Sequence, residues 1–259
     1  MEIFRKMSFA DSTGDAIPFY HEGKYHIFSL TSPPGTTVYP ERLRTTWSHS
    51  ISDDLVHWQE LPTALYPGEG DEPDASGVWT GSVIYGEGQY HAFYTGYCLT
   101  AEFQQTICHA TSDDGITWTK DIANPVITPM TELYEKLDWR DPYVFYNEED
   151  ENYWILISAR RLDMPVTRRG CIVLYRSKNL KDWTYYGPIY SPGHTNCPEC
   201  PEMYKMGGHW YLSYSRFSEF VNTIYRVSES PFGPWRKPKK DGIGGRRFYA
   251  ANSMQNDDG

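Results

Sequence analysis

Three acidic residues stand at matching points of a repeated pattern: Asp15 in Gly14-Asp15-Ala16, Asp141 in Arg140-Asp141-Pro142, and Glu199 in Pro198-Glu199-Cys200-Pro201. Each leads into a run of strand-forming residues. One carboxylate ahead of a strand is usually a turn or capping group. Three in a shared phase point to a site, because like charges gathered in one place repel and add nothing to stability. The chemistry open to such a set is cleavage of a glycosidic bond. One carboxylic acid protonates the leaving oxygen, a second carboxylate attacks the anomeric carbon or activates water, and a third holds sugar hydroxyls. Trp79, Trp47 and Trp139 offer aromatic walls for the apolar faces of sugar rings, although packing in a core is the commoner use of tryptophan.

Residues so far apart in the chain meet only if a repeating fold presents them. A phrase of strand residues, a Ser, a polar pair and a Trp recurs at Ile51 to Trp58, Thr111 to Trp118, Arg176 to Trp183 and, more loosely, Val227 to Trp235. The four Trp residues lie 60, 65 and 52 apart, a period that suits a unit of about four strands. Ahead of each phrase come two further strands joined by a turn rich in Gly, Asn or acidic residues: Glu22-Gly23-Lys24, Gly86-Glu87-Gly88, the stretch from Asn147 to Asn152, and Met206-Gly207-Gly208. The sequence therefore predicts an all-β fold, a single β-propeller domain of four-stranded antiparallel blades. The blades span approximately 10–70, 71–130, 131–190 and 191–240. A fifth blade, 241–259, starts at Phe248-Tyr249-Ala250 and is incomplete, unless the segment from Met1 to Ala10 supplies its missing strands.

Composition narrows the function classes. The formal net charge of -10 and pI of about 5.3 disfavour nucleic acid or an anionic membrane as partner and favour a neutral small molecule. No apolar run nears the ~20 residues that span a bilayer, and the N-terminus has no hydrophobic leader, so a cytoplasmic protein is expected. Five cysteines at irregular spacing argue against a disulfide framework, and the lone Cys197-Pro198-Glu199-Cys200 pair lacks a second pair to complete a zinc site. No Gly-x-Ser-x-Gly elbow, phosphate-cradling Gly loop or His-x-x-x-His pair is present. No cofactor and no metal are expected.

These motifs carry a resemblance. Trp47 to Trp58, running on through Leu61-Pro62 to Ala64-Leu65-Tyr66-Pro67, resembles the corresponding region of glycoside hydrolase family 32, the invertases, inulinases and levanases. Trp79-Thr80-Gly81-Ser82 is similar to that family's aromatic-Ser-Gly-Ser element, Arg140-Asp141-Pro142 to its RDP motif and Glu199-Cys200-Pro201 to its ECP motif. The resemblance implies a five-bladed propeller and a retaining attack on terminal β-fructofuranosides. It implies Glu199 as general acid/base, Asp141 as the carboxylate that holds fructose hydroxyls, and Asp15 as nucleophile with Asp11 as fallback. Arg140, Trp79, Thr80 and Trp47 are then the substrate-binding set, Arg140 by fixing the neighbouring carboxylates. Three departures bear on the fructose pocket. Gly14-Asp15-Ala16-Ile17 lacks the Asn, Pro and Gly that surround the family nucleophile, Ser29 and Leu30 stand where the family has a Gln, and Arg42 stands where it has a Trp. The family's C-terminal β-sandwich is not expected within these residues.

Two other readings remain open on the residues. The propellers of family 43, inverting arabinofuranosidases and xylosidases, place three acids similarly, with Glu-Gly-Pro where this chain has Glu-Cys-Pro. A non-catalytic sugar-binding propeller is the other. For retention, the Asp15 and Glu199 carboxyls should lie roughly 5 to 5.5 Å apart, and about 6.5 Å or more would point to inversion. Glu199 must carry a proton when substrate binds while Asp15 stays ionised.

Overall fold

The repeated Ser-to-Trp phrase is a turn held by its own side chains. In the computed structural model, which describes residues 10, 12–36, 38–218, 220–245 and 247–257, the Ser52 hydroxyl accepts the amides of Asp54 and Leu55, and Asp54 Oδ1 accepts those of Val56 and His57. Ser112 and Asp114 repeat the arrangement with Ile116 and Thr117, and Ser177 and Asn179 with Lys181 and Asp182. Leu55, Gly115 and Leu180 occupy the same left-handed position, at φ 62°, 69° and 59°. Side-chain oxygens thus satisfy backbone donors that no ladder reaches, which is why Ser and Asp or Asn recur at a fixed offset. The amides hold the Asp114 carboxyl down at about 2.

Each turn joins the third and fourth strands of a four-stranded antiparallel sheet. The first sheet comprises β1 (Thr13–His21), β2 (Lys24–Thr31), β3 (Thr46–Ser52) and β4 (Trp58–Leu65). The second comprises β5 (Gly77–Gly86), β6 (Gln89–Tyr97), β7 (Gln105–Ser112) and β8 (Thr119–Lys120). The third comprises β9 (Tyr134–Asn147), β10 (Asn152–Arg161), β11 (Gly170–Ser177) and β12 (Thr184–Tyr190), and the fourth β13 (Glu199–Met206), β14 (His209–Arg216), β15 (Asn222–Ser228) and β16 (Gly242–Ile243). Consecutive strands are neighbours throughout, so these are the blades of an all-β propeller. Among the described residues, no helix is long and apolar enough to cross a membrane.

The described residues form two compact units, one running to Val126 together with the stretch from Ser253, the other Ile127–Asn252. Each has its own core. In the first, Ile17, Phe28, Trp47, Val83, Ala92 and Tyr94 pack together, with Trp118 edge-on to Phe28 at 5.9 Å. In the second, Trp154, Leu156, Leu174, Met203, Leu212 and Ile224 do so. The middle strands are covered on both faces, which is why β10 reads as an unbroken apolar run while the outer strand β12 alternates.

The fourth blade ends differently from the expectation. Trp235 precedes only a single bridge, from Arg236 to Val227, and the outer strand is β16. Residues 248–256 form no strand of a fifth blade. The Phe248 carbonyl still accepts from the Thr223 amide at 2.8 Å, but past it side chains take over: the Ala250 amide donates to Ser215 Oγ and the Ala251 amide to Thr223 Oγ1, and Ala250 is left-handed at φ 53°. In the first unit, the Asn256 side chain donates to Tyr25 and the Tyr20 hydroxyl to Asp257 Oδ2. Of the segment from Met1 to Ala10, expected as the alternative source of that blade's strands, all but Ala10 lies outside the described residues, as does Asp11.

Candidate active site

All four first strands carry a β-bulge at the same place. In β1, Gly14 pairs with Leu30 and Ala16 with Ser29, leaving Asp15 as the extra residue. In β5, Trp79 and Thr80 share the space opposite Thr95; in β9, Asp141 and Pro142 do so opposite Ile157; in β13, Cys200 and Pro201 opposite Tyr214. A bulge bends the strand and re-aims a side chain out of the pleat. Pro142 and Pro201 fit because a bulge leaves an amide without a ladder partner, so a residue with no N–H costs nothing there. Asp15, Asp141 and Cys200 have φ of 21°, 56° and 47°, a conformation that costs a side-chain-bearing residue about 1–3 kcal/mol. Strain of that size, repeated in three blades, marks a position kept for its geometry.

The phase shared by the three acids needs one correction. Asp15 and Asp141 are equivalent bulge residues, but the equivalent in the fourth blade is Cys200. Glu199 stands one residue earlier, level with Arg140.

In the first unit, the half-buried Asp15 accepts a hydrogen bond of 2.5 Å at Oδ2 from the hydroxyl of Thr80, which is buried, and Thr80's own carbonyl accepts from Thr95 Oγ1. Thr80 therefore orients Asp15. Trp79 stacks on Tyr97 at 4.1 Å and keeps part of its surface open, while its indole N–H donates to the Leu43 carbonyl. Trp47 was expected to touch substrate, yet it is 0% exposed. It sits in the core and donates from Nε1 to the Trp79 carbonyl, so it supports the bulge. Trp139 is likewise a core residue, packed on Tyr134 and Tyr175.

The second unit holds the other two acids on a web of buried cations. Arg140 donates from Nη2 to Glu199 Oε1 at 2.8 Å and from Nη1 to Asp138 Oδ1 at 2.7 Å, and its Nε lies 3.8 Å from Asp141 Oδ2. The Cys200 amide donates to Asp141 Oδ2 at 2.9 Å. Arg160 grips the far side of this web, with Nε 3.3 Å from Asp138 Oδ2 and 2.7 Å from Glu135 Oε2. Its Nη1 donates to the Asn196 carbonyl at 2.8 Å, just ahead of Glu199 in the chain. Two buried guanidiniums thus hold four carboxylates, Glu135, Asp138, Asp141 and Glu199, in charge-assisted contacts.

Tyr249 completes the set, its hydroxyl donating to Glu199 Oε2. Burial first, and then the Glu199 charge, push the Tyr249 phenol far up, so it stays a donor. The sequence pattern marked Phe248-Tyr249-Ala250 only as the start of a strand and missed this role, along with those of Asp138 and Arg160. Of the two residues of the Cys-x-x-Cys element, Cys200 meets Asp141 Oδ2 through its amide, whereas Cys197 is fully buried, and burial pushes its thiol up to about 12. Among the described residues, no group of three or more His, Cys, Asp or Glu side chains is placed to hold a metal ion.

Each half thus presents carboxylates held by donors. Glu199 lies between a guanidinium and a phenol, Asp141 against a backbone amide, and Asp15 against a hydroxyl.

Comparison with known proteins follows the same lines. The model of the glycosyl hydrolases family 32 N-terminal domain matches residues 15–259. A sucrose-6-phosphate hydrolase from Zymomonas mobilis is 27% identical over 264 residues, covering 93% of this chain and 49% of the relative. A levanase from Bacillus subtilis is 33% identical over 198 residues, 72% of this chain and 26% of the relative. A solved family 32 β-fructofuranosidase from Bombyx mori superposes with a TM-score of 0.77 at 25% identity, over 95% of this chain and 53% of that one. The chain spans about half the length of the sucrose-6-phosphate hydrolase and of the β-fructofuranosidase, and about a quarter of the levanase. From its bulged first strands to its matched residues, this chain belongs to glycoside hydrolase family 32, as the N-terminal domain.

Proposed function

We propose that this protein hydrolyses terminal β-fructofuranosides, such as sucrose, fructo-oligosaccharides or fructans, with retention of configuration. The observation that carries the reading is the clamp on Glu199: a carboxyl held by Arg140 and Tyr249, one residue from the Cys200 amide that holds Asp141. Glu199 donates its proton to the glycosidic oxygen as Asp15 attacks the anomeric carbon, giving a fructosyl ester on Asp15 and a free alcohol. Water, deprotonated by Glu199, then displaces Asp15 and releases fructose. Asp141 accepts hydrogen bonds from fructose hydroxyls, and these strengthen as positive charge develops on the ring. The names of the relatives support the substrate class, and a five-bladed ring is part of this reading. A cytoplasmic setting is supported by five cysteines of which none forms a disulfide.

The test is a panel of sucrose, inulin, levan and aryl pentosides, with methanol as acceptor and NMR of the products. The expected outcome is methyl β-fructofuranoside from fructosides and no release from pentosides. The α-anomer, or cleavage of arabinosides or xylosides in place of fructosides, would move the chain to the inverting class. Binding without turnover would make it a sugar-binding domain.

A further inference from the structure

A groove of about 570 Å³ opens at one end of the first blade, between residues 31–34 and 61–67. The sheet register fixes which end this is. Thr13 lies opposite Thr31, and Thr31 opposite Thr46, so the groove begins on the strands beside β1, at the end where β1 starts and two residues from Asp15. None of the side chains assigned above to the reaction lines it.

Its walls have a definite chemistry. Pro33, Pro34, Pro62 and Pro67 supply rigid apolar surface, and Tyr66 adds a ring that is 61% exposed. Proline loses no side-chain freedom on binding, and a tyrosine ring presents an apolar face with a hydroxyl at its edge. Arg44 lines the same groove with its guanidinium on the Gly68 carbonyl at 3.3 Å, and no carboxylate pairs with it among the described residues. Its remaining N–H groups are donors for ligand oxygens. The volume lies in the range of small-ligand sites, and flat apolar walls with a few donors at the rim match a sugar ring, apolar on its C–H face and hydroxylated at its edge.

We propose that this groove binds the further sugar units of a fructan chain whose terminal unit is processed at Asp15, so that the preferred substrate is an oligo- or polysaccharide. The proposal rests on the reading of Asp15 given above for its direction of approach, but its binding part can be measured without turnover.

The experiment uses Tyr66→Ala and Arg44→Gln, each alone and in a Glu199→Gln background. Both side chains are exposed, so the fold tolerates their loss. In native gels cast with inulin or levan, the Glu199→Gln protein is expected to be retarded and its Tyr66→Ala derivative to run freely. With active protein, Tyr66→Ala and Arg44→Gln are each expected to lower kcat/KM for a fructan tetrasaccharide about tenfold, the size of one stacked-ring contact, and to leave sucrose unchanged. Absence of retardation in the parent, retardation that survives loss of Tyr66, or equal losses on sucrose and tetrasaccharide would overturn the proposal. Retardation that depends on Tyr66 in a protein that cleaves no fructoside would leave the groove standing and remove the hydrolase reading. Cleavage without retardation would do the reverse.

Discussion

Asp141 and Cys200 occupy the same place in the bulges of β9 and β13, and the Cys200 amide donates a 2.9 Å hydrogen bond to Asp141 Oδ2. One residue earlier, Arg140 and Glu199 meet in the same way at 2.8 Å. Two successive positions of one bulged strand are thus read against two of the next, and the three-residue motifs Arg-Asp-Pro and Glu-Cys-Pro are the sequence form of that match. The proline in each fills the bulge position that has no use for an N–H.

Replacing Asp141 with Asn keeps its shape and an acceptor for the Cys200 amide but removes its charge. The expected result is a loss in kcat/KM of about 100-fold or more on fructosides, in the range for one lost electrostatic contact to a transition state, with little change in melting temperature. Near-parent activity would show that Asp141 does not bind the reacting sugar.

Tyr249→Phe removes the donor to Glu199 Oε2 and keeps the ring. The expected result is a fall in kcat/KM on fructosides of up to about tenfold, the size of one lost hydrogen bond, with an unchanged melting temperature. Unchanged kcat/KM would reduce Tyr249 to a packing role.

Acid should weaken the first unit through His26 and His49, whose rings stack 5.1 Å apart with Nδ1 of one 3.0 Å from Nε2 of the other. Burial above all lowers His26 to about 4, helped by the charges of His21 and Lys24, and lowers His49 to about 3, helped by His26. The unfolded chain takes up protons near 6.5, well before the folded one, so stability is full above that pH and is lost as pH falls toward 4. The matching pair of the second blade, His91 and His109, has the Asp121 carboxylate 3.0 Å from His109 to share a proton, whereas His49 Nδ1 has no such partner among the described residues. The double variant His26→Phe, His49→Phe keeps stacked rings and removes both titrating groups. Melting curves from pH 7 to 4.5 should show a smaller fall in Tm for it than for the parent; equal falls would place the acid-sensitive groups elsewhere.

The blades were legible because the phrase from Ser to Trp is local chemistry: Ser52 and Asp54 bind amides within five residues of themselves, and no tertiary contact is needed to see it. Asp15, Asp141 and Glu199 stood out because each adjoins a run of strand residues at a like point of the repeat. The bulges were not, since an extra residue appears only when two strands are paired, and so the one-residue offset between Asp141 and Glu199 went unseen. Trp47 read as a sugar wall because its type suits both jobs, and only its burial separates them. Tyr249 and Arg160 act across 50 and 36 residues, on Glu199 and Asn196, and nothing local marks them. The strand forecast at Phe248 failed because the hydroxyls of Ser215 and Thr223 capture amides that a ladder would have used.

Azide rescue of the two alanine variants on an activated fructoside separates attack by Asp15 from proton transfer by Glu199. In Asp15→Ala, azide takes the place of the missing carboxylate and should give the α-fructosyl azide, with inversion. In Glu199→Ala, the ester on Asp15 still forms, and azide should displace it to give the β-fructosyl azide. Asp15→Ala that hydrolyses at the parent rate, or that yields the β-azide, would show that another group attacks the anomeric carbon.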